Sequence, residues 1–310
     1  MSDKRLFLFA SYDKSGIIDD SLLHYLKSLS VLGDIIFVMD NNTSDEMLSR
    51  VTKIPNVLYA NATRHGEYDF GSYKRAYLYA HDNKLLNKYD WVYLVNDSVY
   101  GPLFDMSNIL TDLESRDADL IGMVDFRNSL TPVQVQSWFI GIRGNIARSD
   151  FVYDFMRSIR AQENKQLIVL KYEVGLSQLL LKRGCKMSTW ISGQDGESSH
   201  GMYACPIEML QAGVPFLKKN ALNNLGGFQF LYPYTSELMV DYIHKNAVRN
   251  NLSCVDVSRA APIYRKCFRL TLLSIPIVSI YRQRHDDNQR VCYKFYMFDF
   301  IPVGKIFLQK

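Results

Sequence analysis

The first 125 residues alternate between short continuous apolar runs and stretches with helical spacing. Leu6–Ser11 has the pattern of a buried strand and is followed by the turn-like segment Tyr12–Gly16. In Asp19–Leu32 the leucines at 22, 23, 26, 29 and 32 recur on one helical face. Asp34–Asp40 is apolar again and ends at Asn41-Asn42. Asn56–Ala60 predicts a third strand, and Tyr73–Asn83 a helix entered from a glycine loop. Trp91–Val95 is a strand that stops at Asn96-Asp97-Ser98; Ile109–Ser115 reads as a helix and Leu120–Val124 as a strand. Apolar strands alternating with amphipathic helices predict an α/β fold whose mostly parallel sheet is covered on both faces. Ligands of such sheets bind beyond the carboxyl ends of the strands. Asp13, Asp40 and Asp97 each lie just past an apolar run, so this topology puts all three on one edge.

The second half is less regular. Gln136–Arg143 reads as a strand and Asp150–Ala161 as a helix. Lys171–Arg183 is a further helix, closed by Gly184 at its C′ position. Met187–Ile191 predicts a strand leading into the loop Ser192–Gly201. Beyond about Asp241 the pattern turns helix-like, then basic and aromatic. The expected division is an α/β domain over 1–240 and a helical, basic and aromatic tail over 241–310.

Charge sharpens that division. The chain of 310 residues carries a net charge of +4. Residues 260–310 hold nine Lys or Arg against three Asp or Glu, leaving 27 against 29 in the rest. A near-neutral body with a basic, apolar tail points to an anionic membrane surface. No nucleic-acid recognition motif accompanies the charge, so no nucleic-acid partner is expected. The longest uncharged apolar stretch, Leu270–Tyr281, falls short of the roughly 20 residues that a spanning helix needs. It is entered from Arg265, Lys266 and Arg269 and closed by Arg282 and Arg284, a pattern for lying in an interface; a tail whose aromatics pack on the domain and whose charges are solvated is the other reading. The start lacks the pattern of a signal peptide, and the five cysteines include no CxxC pair, which fits a reducing compartment. The expected location is cytoplasmic, peripheral at the inner face of the cell membrane. A composition of 47% hydrophobic and 22% charged residues excludes a disordered chain.

Neither GxxxxGK[ST] nor GxGxxG occurs, which removes support for a P-loop enzyme or a dinucleotide dehydrogenase. Three segments carry candidate chemistry. In WVYLVNDSVYGPL (91–103) a buried strand delivers Asp97 to the sheet edge, with Ser98 beside it. One carboxylate holding Mg²⁺ or Mn²⁺, with phosphate and water completing the shell, can neutralise a diphosphate. A strand-end turn in which Asn96 and Asp97 bond to backbone is the other reading. In KYEVGLSQLLLKRG (171–184) Glu173 falls in the first helical turn, suited to a general base or simply to the helix dipole. In YDFGSYK (68–74) Asp69 or Ser72 can cap a helix whose free N–H groups, with Lys74, face a donor phosphate; plain capping is equally open. His65 and His200 sit in polar loops, as metal or phosphate groups or as surface histidines.

Taken together, YDFGSYK (68–74), LVNDSVYGPL (94–103), VQSWFIGIR (135–143), YEVGLSQLLLKRG (172–184) and GVPFLKKN (213–220) resemble the rhamnan synthesis F family of bacterial glycosyltransferases. The resemblance implies a GT-A-like nucleotide-sugar domain. It also implies transfer of rhamnose from dTDP-L-rhamnose to a glycan or lipid-linked glycan acceptor, in O-antigen, rhamnan or related polysaccharide synthesis; a transferase using another dTDP- or UDP-sugar, or a noncatalytic carbohydrate-binding or scaffold protein of such assembly, is the alternative. Asn96-Asp97-Ser98 occupies the place of the metal- and diphosphate-binding D-x-D motif of GT-A enzymes without its flanking carboxylates. Glu173 resembles the base of the inverting enzymes, and Asp40 the acid that meets the nucleoside. Donor binding is thus expected at Asp40, Asp69, Ser72, Lys74, Asn96, Asp97 and Ser98, and metal, if bound, at Asp97 with His200.

Overall fold

Seven consecutive buried residues, Arg5–Ser11, form strand β1 at the middle of the sheet. Leu6, Phe7, Leu8 and Phe9 are fully buried on both of its faces, each burial stabilising by about 1.5–3 kcal/mol. The structure, a computed structural model, describes residues 4–127, 132–192, 202, 206–219, 264–272, 275–285, 290–297 and 301–309. The chain divides into two units, residues 1–199 and 200–310, where composition suggested a division at 240.

In the first unit β1 is followed by α1 (Asp20–Ser30), β2 (Asp34–Met39), α2 (Asp45–Thr52), β3 (Val57–Ala62) and α3 (Tyr68–Asp82). Asp19 caps α1 by accepting from the Leu22 amide, as its position before the leucine stripe predicts. Then come β4 (Trp91–Asn96), β5 (Val99–Tyr100), α4 (Ser107–Ser115), β6 (Leu120–Phe126), β7 (Gln134–Val135) and β8 (Phe139–Arg143). The sheet order is β3-β2-β1-β4-β8-β6-β7, and β9 (Met187–Ile191) pairs with β6. Pairs β1–β2, β1–β4, β2–β3 and β6–β9 are parallel, while β8 runs antiparallel to both β4 and β6. The expected α/β fold with a mostly parallel sheet is present.

The chain winds outward from β1 to β3 and returns to place β4 on the other side of β1. That reversal is a topological switch point, where α/β sheets open a crevice for ligands. Because β8 is antiparallel, its first residues meet the last of β4: Val95 pairs with Phe139, and the Asn96 amide donates to the Trp138 carbonyl. Residues just before β8 therefore reach the same edge as the ends of β1 and β4.

Two helices differ from their predicted form. The glycine loop expected before residue 73 is already helix, since α3 begins at Tyr68. Gly71 belongs to its first turn because a Cβ there would lie 2.3 Å from the Glu67 Cβ and 2.8 Å from the His65 ring. The N-cap is Glu67, and no side chain caps this helix, so neither Asp69 nor Ser72 has the capping role. The helix carrying Glu173 starts earlier as well. After α5 (Gly144–Ala147) and α6 (Asp150–Ser158), α7 (Lys165–Ile168) is capped by Asn164 and runs through a π-helical segment, Val169–Val174, into α8 (Gly175–Lys182). Glu173 thus sits two turns inside the helix, where the dipole of a first turn no longer accounts for it. Gly184, at φ +82°, ends the helix as expected.

In the second unit α9 (Pro206–Gln211) and β10 (Leu217–Lys218) precede an antiparallel sheet of β11 (Tyr264–Leu272), β12 (Ile275–His285), β13 (Arg290–Met297) and β14 (Ile301–Gln309). The expected helical tail is therefore replaced, over its described residues, by four strands. The apolar run Leu270–Tyr281 is the meeting of two of them, and Leu270 pairs with Val278. Pro276 and the β-branched Ile275, Ile277, Val278 and Ile280 oppose a helix and favour an extended chain. The helix-like pattern from 241 to 263 lies outside the described residues.

Candidate active site

Asp97, just past β4, is half-buried and ties that strand to the end of β1. Its Oδ2 accepts from the Ser11 hydroxyl at 2.7 Å and from the Tyr12 amide at 3.2 Å. Its own amide donates to the Ala10 carbonyl. Asn96 is 2% exposed. Its Oδ1 accepts from the Ser98 amide at 3.1 Å and the Ser98 hydroxyl at 2.6 Å, which is the strand-end turn. Its Nδ2 donates to Asp69 Oδ2 at 3.1 Å, across to the first turn of α3. Asp69, Asp97 and Ser98 are all half-buried, so one partly open edge gathers two carboxylates and a hydroxyl.

Asp40, past β2, stands differently. It is 3% exposed, and its Oδ1 accepts from the amides of His65 and Gly66 at 2.7 and 2.8 Å. Arg64 pairs with Oδ2 at 3.2 Å and lays its guanidinium 5.4 Å from the centre of the Tyr12 ring. Asp40 thus shapes the 64–66 loop and holds an arginine at the switch point. Tyr12, 48% exposed, is the aromatic surface there.

Lys74 is buried inside the unit. It donates to Glu67 Oε1 at 2.8 Å and to the Ile159 carbonyl at 2.9 Å, which takes its charge away from any phosphate at the edge. Ser72 is equally buried, with its hydroxyl 3.0 Å from His65 Nε2. The Glu67 amide donates to His65 Nδ1, so that nitrogen is an acceptor and the ring is neutral. Burial, with Arg75 next, brings the His65 pKa down to about 4, outweighing the opposite pull of Asp40 and Glu67. The 3.5 Å approach of Nδ1 to Asp40 is accordingly a contact of a neutral ring and not an ion pair. Glu67 is pushed up by burial, but hydrogen bonds from Lys74 and Arg75 outweigh this and hold its carboxyl below the ordinary range.

Glu173 reaches the edge from the other side. Its Oε1 accepts from the Ser137 amide at 3.3 Å, and Ser137 lies two residues before β8. The Ser137 carbonyl in turn accepts from the Tyr73 hydroxyl at 2.9 Å, and Asn96 lies close enough to act on that phenol's ionisation. Burial, reinforced by Asp69 and by Glu173, raises the Tyr73 pKa well above its ordinary value, so the phenol stays protonated. Asp69, Asn96 and Ser98 are joined by bonds beside Asp97, and Glu173 is linked through Ser137 to Tyr73 on the helix of Asp69, while Asp40 holds the 64–66 loop and Ser72 and Lys74 are interior. Asp13 accepts from the amides of Ser15 and Ile17 and shapes its own turn.

Sequence reasoning overlooked Tyr12, Arg64, Tyr73 and Asp125. Asp125 is fully buried at the carboxyl end of β6 and pairs with Arg127 at 2.8 Å; its signal was an acid interrupting an apolar strand. Among the described residues no group of three His, Cys, Asp or Glu side chains could hold a metal ion. A divalent ion would therefore rest on Asp97 with phosphate and water oxygens, a mode that suits Mg²⁺. His200 lies outside the described residues.

Among solved structures, the core-mannan synthase A (CmsA/Ktr4) of Aspergillus fumigatus, in an Mn/GDP form, is similar at 11% identity and a TM-score of 0.33, over 57% of this chain and 69% of that one. The mannosyltransferase Ktr4p of S. cerevisiae in complex with GDP is similar at 13% identity and a TM-score of 0.32, over 57% and 66%. The structure of Ktr4p described without GDP matches at 12% identity and a TM-score of 0.29, and there the chain spans 59% of that enzyme's length. No curated protein matches the chain. The family model for rhamnan synthesis protein F matches residues 35–300, a span that holds α3, β4 and the helix of Glu173, and the chain belongs to that family.

Proposed function

We propose that the protein is an inverting glycosyltransferase that moves rhamnose from dTDP-L-rhamnose to a hydroxyl of a surface-polysaccharide acceptor. The observation that carries this reading is the convergence at the switch point. Asp97, Ser98 and Asp69 form one side of the edge, and Glu173, delivered by a different helix, closes it through Ser137. The family's description, which names a rhamnose polymer, supports the choice of sugar.

In this mechanism the acceptor oxygen attacks the anomeric carbon as its proton passes to Glu173. The bond from that carbon to the diphosphate oxygen breaks, and the nucleoside diphosphate leaves with the electron pair. General-base catalysis of this kind is typically worth about 10²–10⁴ in rate. Arg64, half-exposed beside Tyr12, offers positive charge to the leaving diphosphate. A divalent ion held by Asp97 would supply further neutralisation. One base suffices for inversion, whereas a double displacement needs a nucleophile as well.

Protection against thermal unfolding by a panel of dTDP-, UDP- and GDP-sugars tests the reading. A donor at 100 times its Kd stabilises by about 2.7 kcal/mol. The largest shift is expected with dTDP-L-rhamnose, and Asp97→Asn should diminish it. A larger shift with another nucleotide sugar would change the donor, and a panel without any shift would contradict the enzyme. Loss of activity in EDTA would establish an essential exchangeable metal; unchanged activity would leave Asp97 as an electrostatic group.

A further inference from the structure

We infer that Tyr73 is a positioning residue that fixes the general base relative to the donor edge. The inference rests on the assignment of Glu173 as base. Tyr73 lies on the inner face of α3, fully buried, and its hydroxyl stands between the two halves of the site. On one side is Asn96, which donates to Asp69 and lies close enough to the phenol to act on its ionisation. On the other, the phenol donates to the Ser137 carbonyl at 2.9 Å, and the Ser137 amide donates to Glu173 at 3.3 Å. One hydroxyl, on the helix whose first turn carries Asp69, therefore bonds to the segment that holds the base.

Several features single out this hydroxyl from an ordinary core phenol. Ser137 takes part only through its main chain in these two bonds, so no side chain of its own fixes the carboxylate contact. Glu173 lies in the π-helical segment Val169–Val174, a geometry frequent at functional sites. The adjacent Tyr172 is anchored, its hydroxyl accepting from the Arg160 amide and its ring 6.0 Å from that of Phe70. Phe70 in turn packs edge-on against Tyr73 at 5.5 Å. The ring of Tyr73 thus belongs to the packing around the base, while its hydroxyl sets the polar contact. Phe at this position would keep the first and lose the second. Displacement of a reacting group by about 1 Å can lower turnover by about 10²-fold.

The test compares Tyr73→Phe, Glu173→Gln and the double variant, using the nucleotide sugar that gives the largest thermal shift in the panel above. Turnover is read as hydrolysis of that donor, with water as acceptor, and donor binding as thermal protection. Tyr73→Phe is expected to lower kcat by about 10-fold or more while KM for the donor and the thermal protection are kept. Because Tyr73 acts through Glu173, the same change in the Glu173→Gln background should leave the residual rate unaltered. An equal loss in both backgrounds overturns the inference, as does a normal kcat, and so does loss of donor protection, which makes Tyr73 a prop of the fold. A Glu173→Gln enzyme with unaltered turnover sinks the base itself, which separates failure of that assignment from failure of this one.

Discussion

Asp40 and Lys74 show how the surroundings of a charged side chain decide its work. Asp40 receives two amides and an arginine, so its carboxylate organises a loop. Lys74 meets Glu67 and a carbonyl in the interior, although its place in YDFGSYK made it a candidate for phosphate. Breaking a buried ion pair from one side costs about 3–5 kcal/mol. Lys74→Met is therefore expected to lower Tm by several degrees while donor protection is retained; lost protection at an unchanged Tm would return Lys74 to the donor site. His65 gives a prediction in pH. Its pKa falls from the ordinary 6.5 to about 4 on folding, so the unfolded chain binds more protons between those values. Stability from the neutral ring is present above pH 6.5 and is lost as the pH falls toward 4, by on the order of 3 kcal/mol. Arg75, Asp40, Glu67 and Lys74 surround the ring, so comparison with a His65→Gln variant isolates its share. Urea unfolding at pH 7 and pH 4.5 should show the gap between the two proteins narrowing in acid; a constant gap would refute the neutral ring.

The strands of the first unit were legible because a buried parallel strand is a continuous apolar run. Met187–Ile191 coincides with its predicted range, and β1 and β2 agree to within one residue at each end. The elements that differ are those whose polar residues are buried through pairing. YDFGS looks like a loop, yet it is the first turn of α3, because Gly71 packs against His65 and Glu67. Gly71→Ala should destabilise by about 1–3 kcal/mol through overpacking, read as a lower Tm. A neutral or stabilising result would mean that the turn has room for a methyl group. The π-helical segment hid the true start of the helix of Glu173, since its register departs from the 3.6-residue period by which helices are read. The place of Asp97 at a strand end was legible, whereas Tyr73 was invisible: among 20 tyrosines, only the fold tells which one donates to Ser137.

At the scale of the molecule, the first unit carries the site and the second contains an antiparallel sheet rich in basic residues. Composition foretold the charge of that second unit but not its strands, because an apolar run across a hairpin resembles one short interfacial helix. No helix among the described residues is long and apolar enough to cross a membrane. We propose that the basic sheet meets anionic lipid, each nearby Lys or Arg contributing about 1 kcal/mol within a Debye length. The full chain should float with anionic liposomes at low salt and release at high salt; equal behaviour with neutral liposomes would reject an electrostatic surface. We propose the edge between β1 and β4 as a sugar-transfer site whose base is Glu173. Its most direct measurement is nucleotide-sugar turnover by Glu173→Gln at saturating donor. The account predicts intact donor protection and a fall in kcat of about 10²-fold or more. Near-normal turnover by that variant would contradict it.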